Sequence, residues 1–142
     1  AQAFETLRNK TDIYSKTNGR PKVMMFPIGN LNMRKARAQF ACNFFACAGF
    51  DVEDHNGFKS VEEGVKFVTE KGAKIVVVCS SDDEYATIVP EVYEALKGKA
   101  VTVVAGAPAC ADELKAKGVE NFINVKSNVL ETLKAYQAEL GI

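Results

Sequence analysis

Between Val23 and Gln39 the chain holds no carboxylate, no histidine and a single glycine, Gly29. The stretch reads as the first buried strand, a tight turn at Gly29-Asn30 and the start of a long amphipathic helix. In an open α/β sheet the loop at the carboxyl end of the first strand is a usual ligand position. Without acidic residues there, the Mg²⁺ cage of a phosphoryl-accepting receiver cannot assemble. Gly29-Asn-Leu-Asn-Met33 offers few hydroxyls and a bulky apolar middle, unlike the Ser/Thr-rich loop an FMN phosphate needs. G-x-G-x-x-G and G-x-x-x-x-G-K-[ST] are also missing, which removes the dinucleotide and P-loop fingerprints.

Other absences narrow the class further. Lys+Arg and Asp+Glu both number 18, so there is no basic field to gather nucleic acid or an anionic membrane surface. No apolar run approaches the roughly 18–20 residues of a membrane span, and no signal-peptide pattern opens the sequence, so a cytoplasmic protein is expected. Cys42, Cys47, Cys79 and Cys110 form no C-x-x-C pair and lie far in sequence from the one histidine, His55. They are expected to be reduced, small core residues rather than zinc ligands or disulfide partners.

What is present fits one domain. The chain has 142 residues, 47% of them hydrophobic and 25% charged, enough to bury a core without staples. Residues 1–20 are polar, with one helical turn at Phe4–Asn9, and read as an N-terminal arm or linker before a domain over 21–142. Strands are expected at Lys22–Ile28, Phe50–Glu53, Lys74–Cys79, Ala100–Ala105 and Asn121–Val125, the first, third and fourth as continuous apolar runs typical of a sheet covered on both faces. Between them, Ala36, Phe40, Phe44 and Cys47 mark the inward face of a helix that ends at Gly49. Ser60-Val-Glu-Glu63 is a capping box opening a helix with a Val61/Val65/Val68 stripe. A third helix runs to Leu96, with Pro90 near its first turn or at a kink, and a fourth covers Ala111–Lys117. Asn128 caps a last helix whose Val129, Leu133 and Tyr136–Gln137 face inward.

Five β-then-α units predict a flavodoxin-like (Rossmann-like), doubly wound, five-stranded parallel sheet of order 2-1-3-4-5. Its ligand crevice lies between strands one and three, lined by Pro27–Met33, Ser80–Glu84 and Gly106–Ala109. Asp82 or Asp83, with Lys126, could in principle serve a phosphoryl-accepting site, but the missing acid after strand one argues against it. Asp51, Glu53, Asp54 and His55 could hold a cation or a general base, and a solvated turn is the simpler reading. Arg34, Lys35 and Arg37 stand at a helix start, where cations gain nothing from the dipole. They are expected on a surface that meets a partner protein.

Gly19-Arg-Pro-Lys22, the run Ala36–Val52 (ARAQFACNFFACAGFDV) and Val89–Gly98 (VPEVYEALKG) resemble the C-terminal B12-binding domain of methylmalonyl-CoA mutase. Phe4-Glu-Thr-Leu-Arg8 resembles the connection that precedes it. Cobalamin-holding members of that family carry D-x-H-x-x-G, then S-x-L, then G-G after strands one, three and four, the histidine binding cobalt and the aspartate steering it. Here Leu31, Met33 and Ala36 stand for the first set, Ser80-Ser81-Asp82 for the second, and Gly106-Ala107 for the third. Met33 is a soft but weakly basic donor, Asp82 sets a carboxylate against an apolar tail, and Ala36 and Ala107 each add a methyl where the tail needs room. The resemblance therefore implies the small (β) subunit type, whose domain neither binds the cofactor nor catalyses. Adenosylcobalamin then sits in the large (α) catalytic subunit, which is the implied partner in isomerising methylmalonyl-CoA and succinyl-CoA. The alternative is a true cobalamin-binding domain with non-standard ligation, through Met33 or with the base still on the cobalt.

Overall fold

The β-branched, uncharged runs of the sequence become the middle of the sheet. In the computed structural model, described over residues 2–142, the order is α1 (Gln2–Asn18), β1 (Lys22–Pro27), α2 (Leu31–Ala46), β2 (Asp51–Glu53), α3 (Val61–Glu70), β3 (Ile75–Cys79), α4 (Asp82–Leu96), β4 (Val101–Ala105), α5 (Ala111–Ala116), β5 (Phe122–Ile123) and α6 (Val129–Glu139). All five strands pair in parallel in the order β2-β1-β3-β4-β5. The expected topology is thus present, and the chain reverses its winding between β1 and β3. Phe26 pairs with Val78 and Pro27 with Cys79, so both strands end at one level and their following loops face each other.

Alternate residues of each strand feed two cores, as the pleat requires. Val23, Met25, Ile75, Val77 and Val103 pack under α1, α2 and α6 with Phe45, Leu133 and Tyr136. Met24, Phe26, Val76, Val78 and Val104 pack under α3, α4 and α5 with Tyr85, Val89 and Leu114. No helix among the described residues is long and apolar enough to cross a membrane.

Three elements differ from the sequence expectation. The arm is one long helix, α1, whose Leu7 and Thr11 are buried. Gln137 of α6 donates its amide to the Leu7 carbonyl at 2.8 Å and to the Thr11 hydroxyl at 3.0 Å, which fastens α1 to the sheet domain. The inward face of α2 is Ala38, Ala41, Phe44 and Phe45, while Ala36 is exposed and Phe40 and Cys47 are half-buried. Two apolar stripes overlap on this helix, and the one carrying alanines lets the backbone lie closer to the strands. Pro90 sits inside α4, well past the first turn, which excludes one of its two expected placements and leaves the kink.

The caps are largely as read. Ser60 and Asn128 accept from the amides of Glu63 and Glu131 at 3.1 and 2.9 Å. The Glu63 carboxylate turns to the Lys59 amide instead of that of Ser60. Of the four cysteines, all free, Cys79 is buried and the other three are only half-buried.

Candidate functional site

The crevice at the switch point is laced by a carboxylate that the sequence reading did not single out, Glu84, the acidic member of a capping box with Ser81. Glu84, on the first turn of α4, turns back toward the ends of β1 and β3. Its Oε1 accepts from the Asn30 amide at 2.9 Å, the Ser80 hydroxyl at 2.9 Å and the Ser81 hydroxyl at 2.6 Å. The Ser81 hydroxyl, then the Asn30 amide, hold its carboxyl down at about 2, well below the ordinary 4.5. Gly29 makes this approach possible. Its φ is +85°, and a Cβ there would lie 2.2 Å from Glu84 Oε2.

Beside it stands Arg37 of α2. Its guanidinium donates to the Ser80 carbonyl at 2.7 Å and to Asp82 Oδ1 at 2.8 Å, and lies 5.4 Å from the centre of the Tyr85 ring. The Tyr85 hydroxyl accepts from the Ser80 amide at 3.0 Å and donates to the Ala105 carbonyl at 2.5 Å, joining the ends of β3 and β4. Burial pushes its phenol well above the usual range, so it stays a donor. Two charged side chains and one phenol therefore tie the three strand ends together.

An apolar cleft of about 460 Å³ opens next to this lacing. Met33, Ala36, Arg37 and Phe40 of α2 form one side, Ala105, Gly106 and Ala107 the strand end, and Asn124–Lys126 the far rim, with Asp82 between. Leu31, Met33 and Val125 are three of the four large exposed apolar side chains among the described residues, 52%, 37% and 87% exposed. Apolar groups concentrated on one edge of a domain mark a surface that meets something.

No family model matches the chain. Over all 142 residues it is 55% identical to the methylmalonyl-CoA mutase small subunit of Porphyromonas gingivalis. By sequence the whole chain is thus similar to one part of a methylmalonyl-CoA mutase small subunit. It spans 22% of the length of that protein. A probable methylmalonyl-CoA mutase small subunit from Mycobacterium tuberculosis is 27% identical over 143 aligned positions, covering 99% of this chain and 23% of the relative. A crystal structure of a novel cobalamin-binding protein from Desulfitobacterium hafniense DCB-2 matches with a TM-score of 0.61 and 21% identity, over 95% of this chain and 66% of that one. At that identity the match speaks for the fold alone.

Within this small-subunit-like domain, five of the seven motif positions meet. Met33, Ala36, Asp82, Gly106 and Ala107 all line the cleft. Ser80 is fully buried behind it, bound to Glu84, and Leu31 stands outside on the exposed first turn of α2. Asp82 is the partner of Arg37. Lys126, read in the sequence beside Asp82 or Asp83, does share the cleft with Asp82, whereas Asn124 and Val125 went unanticipated because the loop after a short fifth strand carries no motif.

Of the other clusters, the basic one departs from its sequence reading at Arg34 and Arg37, with Lys35 exposed, while the acidic one with His55 follows the simpler reading, Asp54 lying exposed in the turn after β2. Arg34 and Arg37 fold inward rather than facing a partner, since helical side chains lean toward the helix N-terminus and here that is the crevice. Arg34 donates to the Gly29 carbonyl at 2.9 Å and to that of Asn56 at 3.3 Å. Asp51 and Glu53 both pair with Lys22. His55 stacks on Phe58 with centroids 4.0 Å apart and accepts from the Gly57 amide at 3.0 Å through Nδ1. Among the described residues no three of His, Cys, Asp or Glu are grouped to hold a metal ion.

Proposed function

We propose that this domain, read as the C-terminal part of a methylmalonyl-CoA mutase small subunit, holds no corrinoid and acts by association. Its partners are the large catalytic subunit, which carries adenosylcobalamin and isomerises methylmalonyl-CoA and succinyl-CoA, and the rest of its own longer polypeptide. The division at residue 20 survives as a proposal about that connection, with α1 as the packed link. The observation that carries the reading is the donor set at the end of β1. Met33 offers a thioether where an imidazole would grip cobalt, and Leu31, exposed and apolar, has no group to orient it. The residues present do not fit the cofactor, and no step of the isomerisation is routed through them.

The apolar rim of Leu31, Met33 and Val125 supports association. A second reading, corrinoid binding with Met33 as ligand, is favoured by the cleft itself, which stays open beside that side chain. One experiment separates the two. Hydroxocobalamin titrated into the chain should leave its visible spectrum unchanged, while co-expression with the large subunit of the same organism should return a one-to-one complex. A saturable spectral shift that Met33→Ala abolishes would establish the second reading.

A further inference from the structure

We propose that Arg37 is a built-in occupant of the switch-point crevice, a stopper taking the place of a flat, hydrogen-bonding guest. The inference rests on the corrinoid-free reading and names a side chain, at none of the motif positions, that covers the inner wall of the crevice while the cleft beside it stays open.

A flat guest at these strand ends would need a ring to stack on, an acceptor for its N–H, and bare backbone beneath it. All are present, and all are engaged by Arg37. Its planar guanidinium lies 5.4 Å from the centre of the Tyr85 ring. One amino group donates to the Ser80 carbonyl at 2.7 Å and the other to Asp82 at 2.8 Å, a two-pronged hold that an ammonium cannot copy. Gly106 supplies the bare backbone. Its φ is +136°, and a Cβ there would come within 3.0 Å of the guanidinium carbon. Although charged, the side chain is only 18% exposed.

The stopper is tethered. Arg37 reaches the site from α2, one turn beyond Met33, so a free ligand competes with an intramolecular group at high effective concentration. It also forms part of the wall of the 460 Å³ cleft, so removing it enlarges an open cleft rather than creating a sealed void. The charge of Asp82 is then left without its partner but half-exposed, where water can serve it.

The test compares the full chain with Arg37→Ala and with Arg37→Met, which keeps most of the apolar stem should the alanine variant fold poorly. The probe is benzimidazole, a flat ring with one N–H donor and one acceptor, followed by amide chemical shifts. The proposal expects saturable shifts at Ser80, Gly106 and Ala107 in at least one folded variant, with affinity at least about tenfold above that of the parent chain. Folded variants that bind no better than the parent overturn the stopper and leave the corrinoid-free reading intact. A parent chain that already binds benzimidazole or hydroxocobalamin at this face overturns both.

Discussion

Replacing Glu84 with glutamine removes one negative charge from the lacing while keeping its size. The carboxylate accepts from one amide and two hydroxyls at 2.9 Å or less, and each partner favours the charged form. A carboxyl drawn from 4.5 to about 2 reflects at most about 3–4 kcal/mol of preference for the ionised state. The loops are partly open to water, which brings the expected loss to about 1–2 kcal/mol at pH 7. The sign follows from the lowered carboxyl. Its stabilisation is complete above the unfolded value near 4.5 and fades as pH falls through that value toward 2. Urea unfolding at pH 7 should therefore show a lower midpoint for Glu84→Gln with an unchanged slope. The gap between parent and variant should narrow steadily below pH 4.5. A gap that is the same at pH 7 and pH 3, or no gap at pH 7, would refute the account of Glu84 as a charged cross-link. Amide exchange gives a second readout, with the Asn30 amide losing protection in the variant.

Three further outcomes are expected. Gly29→Ala should lose about 2–3 kcal/mol, from the left-handed backbone and from the clash with Glu84, and Glu84→Ala on that background should recover the clash share in a double-mutant cycle. Gly64→Ala, in the middle of α3, should destabilise by about 1–3 kcal/mol despite alanine's better helix propensity, because its Cβ would lie 2.2 Å from the Phe26 ring; thermal melting decides the sign. Leu7→Ala should cost about 2–4 kcal/mol in urea unfolding if α1 is part of the folded unit, and next to nothing if it is a detachable arm.

The sheet was legible because Ile75–Cys79 and Val101–Ala105 are nearly all β-branched or small, a composition that fits a strand covered on both faces. The face of α2 was not, since Ala36/Phe40/Phe44 and Ala38/Ala41/Phe45 are both acceptable stripes and only packing chooses between them. α1 escaped because its buried side is no wider than Leu7 and Thr11, too narrow to stand out in a polar stretch. Ser81-Asp-Asp-Glu84 has the spacing of a capping box, and that signal could have brought Glu84 to notice. It could not have shown that the same carboxylate reaches Asn30, a contact between residues 54 apart in the chain. Arg37 was visible as a cation and misplaced, because the lean of helical side chains was left out of its reading.

The clasp between Gln137 and α1 holds together two helices of the molecule that are more than 120 residues apart in sequence. Its first and last helices lie side by side, so the order in which strands are threaded matters less than the set of neighbours each one finds. A nick at the exposed turn of Gly98 and Lys99 would therefore leave two pieces still held by that clasp as well as by the β3–β4 pairing.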